Sequence, residues 1–424
     1  MDLTNASLMI RNSCLEVNIV DIPSPTTTNQ EIQSRDNDNN NDTKNSISTV
    51  EKKNPIVKNI NLIQTNSSIA SWSISNIIVH CYVLSTASAE PEEIDEMNDE
   101  PITACEVLTL PHESLHTSWE NLIYPREIKE NIIGYAESAL LFSSKGVSNH
   151  IIAWNRVLLL HGPPGTGKTS LCRALSHKLA IRMNHIFPAG GYLLEIKSHS
   201  LFSKWFSESG KLVSKLFERI REMVEDEPNS LFCVLIDEVE SLASSRVGSG
   251  GGSAEPSDAV RAVNSVLTSL DSIRGYRNVM ILTTTNITDS IDTAFVDRVD
   301  LKQYVGYPCL EARYEILKSC LQELIRVGIV SNSLQGLQSF SFAIDAVDQQ
   351  REKNLTVKKD YDEILLLQCA KAAKDLSGRS LRKIPFQSHA FFVRLSDTVP
   401  LTKFLVSLKH GIDKERRSRN DLDS

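Results

Sequence analysis

A chain of 424 residues, 41% hydrophobic and 23% charged, is long enough for two or three domains with packed cores. A formal net charge of −8 argues against non-specific nucleic-acid binding, which asks for a clustered basic surface. The eight cysteines form no C-x-x-C pair, so reduced thiols are expected and not a disulfide scaffold or zinc site, and no apolar run approaches the ~18–20 residues of a membrane span.

With Asp2, Asn5 and Arg11, the N-terminal residues do not read as a secretory leader, and an intracellular protein is expected. Residues 14–22 and 72–84 alternate like half-buried strands. Between them, residues 24–54 are rich in Thr, Asn, Asp, Ser and Gln and include DNDNNND at 36–42. Such a stretch buries too little apolar surface to offset its ordering entropy, so a disordered insert is expected. The acidic stretch 90–100 reads as another exposed loop. Residues 1–108 are therefore expected to be a small β-rich N-terminal domain.

The pattern then changes. A helical period runs through Ile128, Ile132, Ile133, Ala136 and Leu140. Apolar strand-like runs at 157–161, 192–196, 231–236 and 279–284 alternate with helical patterns at 167–179, 209–225 and 259–273. Strands that are apolar throughout imply a parallel sheet between helices, giving a large α/β domain over 109–307. Helical patterns at 311–326, 361–374 and 380–395 imply a small helical domain over 308–424. The basic run 414–419 reads as a solvated tail.

Residues 162–169, GPPGTGKT, match G-x-x-x-x-G-K-[ST] between a strand and a helix, the context the motif requires. The expected nucleotide cradle is Gly162, Pro163, Pro164, Gly165, Thr166, Gly167, Lys168, Thr169 and Ser170. Glycines let successive N–H groups turn toward phosphates at the helix N-terminus. Lys168 would neutralise the β- and γ-phosphates of ATP, and the Thr169 hydroxyl would ligate Mg²⁺. The run FCVLIDE at 232–238 delivers Asp237 for the Mg²⁺ shell and Glu238 as a general base at a strand end.

Three further residues carry two readings each. Asn286 ends the strand VMILTTT and either bonds the γ-phosphate or attacking water, or serves as a turn residue. In a ring, Arg298 reaches a neighbour's γ-phosphate; otherwise it pairs with Asp297 or Asp300. Arg379, in LSGRS at 376–380, either touches the nucleotide from the helical domain or belongs to ordinary helix-start chemistry.

The order of these motifs resembles an AAA+ ATPase. The longer strings GPPGTGKTSLCRAL, SHSLFSKWFSESGKLV, FCVLIDEVESL, EPSDAVRAVN, TTTNIT, FVDRVDLKQY and LSGRSLRKIPF resemble the pachytene checkpoint protein 2 family from about Leu110 onward. Over residues 1–100 the similarity is positional only. The resemblance implies an AAA+ P-loop core with a helical lid, and an N-terminal domain that recruits substrate or adaptor. It implies a homohexamer that uses ATP and Mg²⁺ to convert HORMA-domain proteins from closed to open, through a HORMA-domain adaptor. Spindle-checkpoint silencing and control of meiotic synapsis and recombination follow from it, with no direct nucleic-acid or membrane partner. So does residence in nucleus and cytoplasm, with chromosomes or kinetochores as further places. The alternative is an AAA+ protein handling nucleic acid, such as a clamp loader or initiator, against which the acidic charge counts. Many relatives carry two finger arginines as R-x-x-R, whereas Asp297-Arg298 offers one.

In AAA+ rings the segment LFSKWFSESG at 201–210 faces the central channel, so Lys204, Trp205 and Phe206 are expected to grip an extended peptide. The other reading is that the aromatic pair docks the following helix, whose stripe is Leu212, Leu216, Ile220 and Val224. The segment VGSGGG at 247–252 reads as an inner pore loop or a plain linker.

Overall fold

The computed structural model describes residues 9–11, 14–16, 78–80, 82–94, 102–197, 209–240, 256–287, 293–331, 337–353, 361–393 and 398–423. They fall into two compact units, Met1–Val83 and Leu84–Ser424. In the first, β1 (Met9–Arg11) pairs antiparallel with β2 (Cys14–Glu16), and β2 pairs parallel with β3 (Ile78–His80). Both alternating stretches thus contribute a short strand. The polar stretch 24–54 lies outside the described residues.

The second unit holds β4 (Glu90–Ile94), β5 (Ile102–Leu110), β6 (Val157–His161), β7 (Gly191–Lys197), β8 (Leu231–Asp237), β9 (Val279–Thr285) and β10 (Leu301–Tyr304). These form one sheet in the order β10-β6-β9-β8-β7-β5-β4. Strands β10 to β7 run parallel, and β5 and β4 extend that edge antiparallel. Two expectations are corrected here. The acidic stretch read as a loop contains β4, and the boundary at 108 falls inside β5. Backbone pairing at an edge asks little of side-chain polarity, and charges on an edge strand are ordinary. Glu92 of β4 also accepts a hydrogen bond from Arg219 at 2.5 Å.

The central strands are apolar throughout because both faces are covered. Leu158, Leu160, Cys233, Leu235, Met280 and Leu282 join one core with α1 (Arg126–Ser144) and α2 (Lys168–Arg182). Their neighbours Val157, Leu159, Val234, Ile236, Val279 and Ile281 join another with α3 (Ser209–Asp226) and α4 (Pro256–Ile273). The period of two along each strand therefore divides one sheet between two cores. The stripe Leu212, Leu216, Ile220 and Val224 is buried on α3, as its spacing requires. Burying one such side chain is worth roughly 1.5–3 kcal/mol, so a charge at Leu216 would undock the helix.

Beyond β10, α5 (Leu310–Arg326), α6 (Phe340–Lys353), α7 (Tyr361–Ala372), α8 (Gly378–Ser388) and α9 (Leu401–Asp423) enclose a third core around Tyr314, Leu366, Leu381 and Phe404. Helix α8 ends earlier than its expected 395. Pro385 lies inside it and a π-helical turn, His389–Val393, follows. The basic run 414–419 is not a tail. It belongs to α9, whose Phe404, Leu405, Leu408 and Ile412 are buried. Their helical spacing was a signal the charge run obscured. Arg419 donates to the Asp375 carbonyl and the Ser380 hydroxyl, both at 3.0 Å, and Lys414 Nζ lies 3.5 Å over the Phe391 ring.

The strand order places the site. From β6 the chain runs to β7, returns through β8 and β9, and then crosses to β10 on the other side of β6. Ligands of open α/β sheets bind at the carboxyl ends of strands where the order reverses.

Candidate functional site

At the end of β6 the backbone leaves the sheet in conformations that side chains resist. Gly162 has φ +142°, and a Cβ there would lie 2.3 Å from the Val305 carbonyl oxygen. Gly167, at φ +94°, caps α2, and a Cβ on it would lie 2.5 Å from the Tyr124 hydroxyl. The motif glycines are thus required by crowding as well as by turn geometry. The Tyr124 hydroxyl donates to the Thr166 carbonyl at 2.7 Å, and the Thr166 hydroxyl donates to the Pro163 carbonyl at 2.9 Å. These bonds hold the loop open as a cradle at the N-terminus of α2.

Lys168 is buried, and its Nζ donates to the carbonyls of Gly162 and Pro163 at 2.8 and 2.9 Å and to Asn286 Oδ1 at 2.8 Å. Burial lowers its pKa from the ordinary value, while Glu240, Asp237 and Glu238 act in the opposite direction. The Thr169 hydroxyl donates to Asp237 Oδ1 at 2.8 Å, and the Thr284 hydroxyl donates to the same oxygen. Two hard oxygens beside a phosphate cradle suit Mg²⁺, which takes one or two protein ligands and the rest from phosphate and water.

Glu238 is exposed and has φ +58°, a left-handed conformation that costs a non-glycine residue about 1 kcal/mol or more. Its N–H donates to the Thr284 hydroxyl at 3.2 Å, and the next N–H, of Val239, donates to the Thr284 carbonyl at 2.9 Å. The exit of β8 is thereby stapled to the end of β9. Glu240 then meets Asn286, accepting from its backbone N–H at 3.0 Å and from Nδ2 at 2.9 Å.

The lid closes the other side. Arg379 lies in the first turn of α8, and its backbone N–H donates to the Gly165 carbonyl at 3.2 Å. A cleft of about 510 Å³ lies between the two sides, lined by Leu122, Ile123, Tyr124, the loop residues Gly165 to Gly167, Ser170, Pro308, Ile316, Arg379 and Arg382 among others. Its apolar side chains suit a base and its arginines suit phosphates.

Arg298 is not among the residues lining this cleft. Its guanidinium forks onto Asp271 of α4 at 2.8–3.2 Å, and Nη1 donates to the Ala294 carbonyl at 2.8 Å. The pairing considered from sequence was with Asp297 or Asp300. Asp300 instead accepts from the Tyr135 hydroxyl and from the N–H groups of Asn155 and Arg156. Lys204, Trp205, Phe206 and the segment 247–252 lie outside the described residues. Four residues that sequence reasoning passed over join the site: Tyr124, Thr284, Glu240 and Arg382. Thr284, Glu240 and Arg382 lay inside quoted motifs, so proximity to Asn286, Asp237 and Arg379 was an available signal. Tyr124 carried none.

Residues 158–307 match the family model described as ATPase family associated with various cellular activities (AAA). Residues 309–416 match the model described as TRIP13-like, AAA+ ATPase lid C-terminal domain. The chain is 44% identical over 355 residues to the Pachytene checkpoint protein 2 homolog of Gallus gallus, covering 82% of this chain and 78% of that one. It is 42% identical over 371 residues to the Homo sapiens homolog, covering 86% and 83%. The solved structure of C. elegans PCH-2 is similar with a TM-score of 0.67 at 37% identity, covering 83% of this chain and 82% of that chain.

Proposed function

The chain belongs to the pachytene checkpoint protein 2 family of AAA+ ATPases and is an ATP-hydrolysing enzyme; from that premise we propose that it works as a homohexamer that remodels HORMA-domain proteins. Family membership supports the substrate class. In this reading the HORMA-domain protein passes from closed to open, an adaptor delivers it to the N-terminal region, and Lys204, Trp205 and Phe206 grip it in the channel. Spindle-checkpoint silencing and meiotic synapsis and recombination are the processes served, in nucleus and cytoplasm and at chromosomes or kinetochores.

The observation that carries the mechanical reading is the direct bond from Arg379, at the start of a lid helix, to Gly165 in the phosphate loop. A change at the phosphates is felt by the lid without an intermediary. In a ring, Arg298 would leave its pairing with Asp271 to reach a neighbour's γ-phosphate, and hydrolysis would then depend on assembly.

In the chemical step, Lys168 and the N–H groups of the loop hold the phosphates. Thr169 and Asp237 would hold Mg²⁺, which would supply neutralisation of phosphate charge. Glu238 accepts a proton from the water that attacks the γ-phosphorus, and ADP departs. Glu238→Gln keeps the shape and removes the base. It is expected to bind ATP like the parent, lose ~10²–10⁴ in turnover, and retain HORMA-domain protein in a hexamer during size-exclusion chromatography. A variant that hydrolyses at the parent rate sinks the assignment of the base, and one that traps no HORMA-domain protein sinks the substrate class.

A further inference from the structure

We infer that Glu240 is a positioning residue for hydrolysis, one that fixes the Asn286 side chain with its carbonyl oxygen, and not its NH₂ group, toward Lys168 and the attacking water. This rests on the reading of the cleft as an ATP-hydrolysing site. An asparagine amide has one accepting and one donating end, and its orientation follows from its neighbours. Here the neighbours permit one arrangement. A carboxylate at Glu240 only accepts, and it takes Nδ2 at 2.9 Å together with the Asn286 backbone N–H at 3.0 Å. The Lys168 ammonium only donates, and it takes Oδ1 at 2.8 Å.

Flipping the amide would set a donor against a donor and an acceptor against a carboxylate. Asn286 is therefore wired between two groups of fixed polarity. The wiring is supported from below, because the Thr284 hydroxyl and carbonyl accept the N–H groups of Glu238 and Val239 and hold the exit of β8 against the end of β9. The consequence is chemical. With its NH₂ committed to Glu240, Asn286 offers the reaction centre an acceptor, suited to a water proton, and not a donor suited to a γ-phosphate oxygen. Asn286 thus orients the nucleophile, and Glu240 acts through it.

The test is a kinetic double-mutant cycle on the full chain, read by steady-state ATPase assay and by titration with a fluorescent ATP analogue. Glu240→Gln replaces a group that only accepts by one that also donates, so Lys168 alone is left to fix the amide's polarity. It is expected to lower kcat about tenfold or more, with nucleotide affinity within about threefold of the parent and an unchanged melting temperature. Added to Asn286→Ala, it is expected to cause no further loss, because its effect runs through Asn286. Glu240→Asp keeps the polarity and is expected to recover part of the rate. Should Glu240→Gln fail to fold, the same cycle is run with Glu240→Asp, expected to show an intermediate loss that also vanishes in the Asn286→Ala background. A kcat within twofold of the parent, losses that multiply across the cycle, or an affinity loss as large as the kcat loss would each overturn the inference. Parent-level turnover in Glu238→Gln defeats the underlying site reading instead, and an inactive Glu238→Gln beside a fully active Glu240→Gln defeats this inference alone.

Discussion

On the large-domain side, the network has two clusters of side-chain hydrogen bonds, Lys168–Asn286–Glu240 and Thr169–Asp237–Thr284, and the backbone N–H of Glu238 ties the segment bearing Glu240 to the Thr284 hydroxyl. On the lid side, among the described residues, the Arg379 N–H donates to the Gly165 carbonyl, and Ser377 and Arg379 Cβ crowd the same glycine. The difference separates two tasks. Charge developing on transferred phosphate is best met by groups that need no reorganisation, so the network is built before nucleotide arrives. A part that must move with nucleotide state cannot be tied so heavily, and one backbone bond suits a hinge. The heavily bonded large-domain side and the lightly bonded lid side thus meet at the phosphate loop.

The sharpest way to break this contrast is Lys168→Ala. Charge-assisted hydrogen bonds are worth roughly 1.5–3 kcal/mol each, and Lys168 is expected to make more than one to phosphate. Affinity for a fluorescent ATP analogue should fall at least about a hundredfold; a fall below tenfold would mean the network is not the main anion site.

Acid tests the same wall through its supporting helix. His177 lies on α2 with Lys168, and burial, then Lys178 and His116, lower its pKa from 6.5 to about 4. The unfolded chain therefore binds the proton first, so stability is full above about pH 6.5 and falls as pH drops toward about 4. The loss should reach at most about 3 kcal/mol, measured by urea unfolding at a series of pH values, and His177→Asn should flatten that slope. A slope unchanged in the variant would remove His177 from the account.

The smallest effect is expected on the lid. Arg379 is exposed and its charge is screened, so Arg379→Ala should raise the KM for ATP by about tenfold. A loss as large as that of Lys168→Ala would erase the distinction between the walls.

Much of the large domain was legible because its signals are local. Strands apolar throughout can only be covered on both faces, and β6, β8 and β9 are. The stripe on α3 repeats every four residues, and that face is buried. The errors came where polarity was taken as a sign of exposure. The acidic residues 90–94 pair as an edge strand, and the basic residues 414–419 ride on a helix whose other face is core. Both elements depend on partners distant in sequence. Arg298 repeats the lesson, since its carboxylate lies 27 positions earlier on α4 and not in its own turn.

The sequence by itself determined the phosphate loop, because successive residues of GPPGTGKT create the backbone turn, the helix start and the cation in one stretch. It also determined the strand ends bearing Asp237, Glu238 and Asn286, since apolar runs that stop at polar residues mark the edge of a sheet. Only the tertiary structure decided how those ends meet. That Glu240 grips Asn286, that Thr284 staples two strands, that Tyr124 braces Thr166 and that Arg379 bonds to Gly165 are all contacts across dozens to hundreds of positions. Such contacts are selected by packing and by the need to satisfy buried polar groups, and no local spacing encodes them.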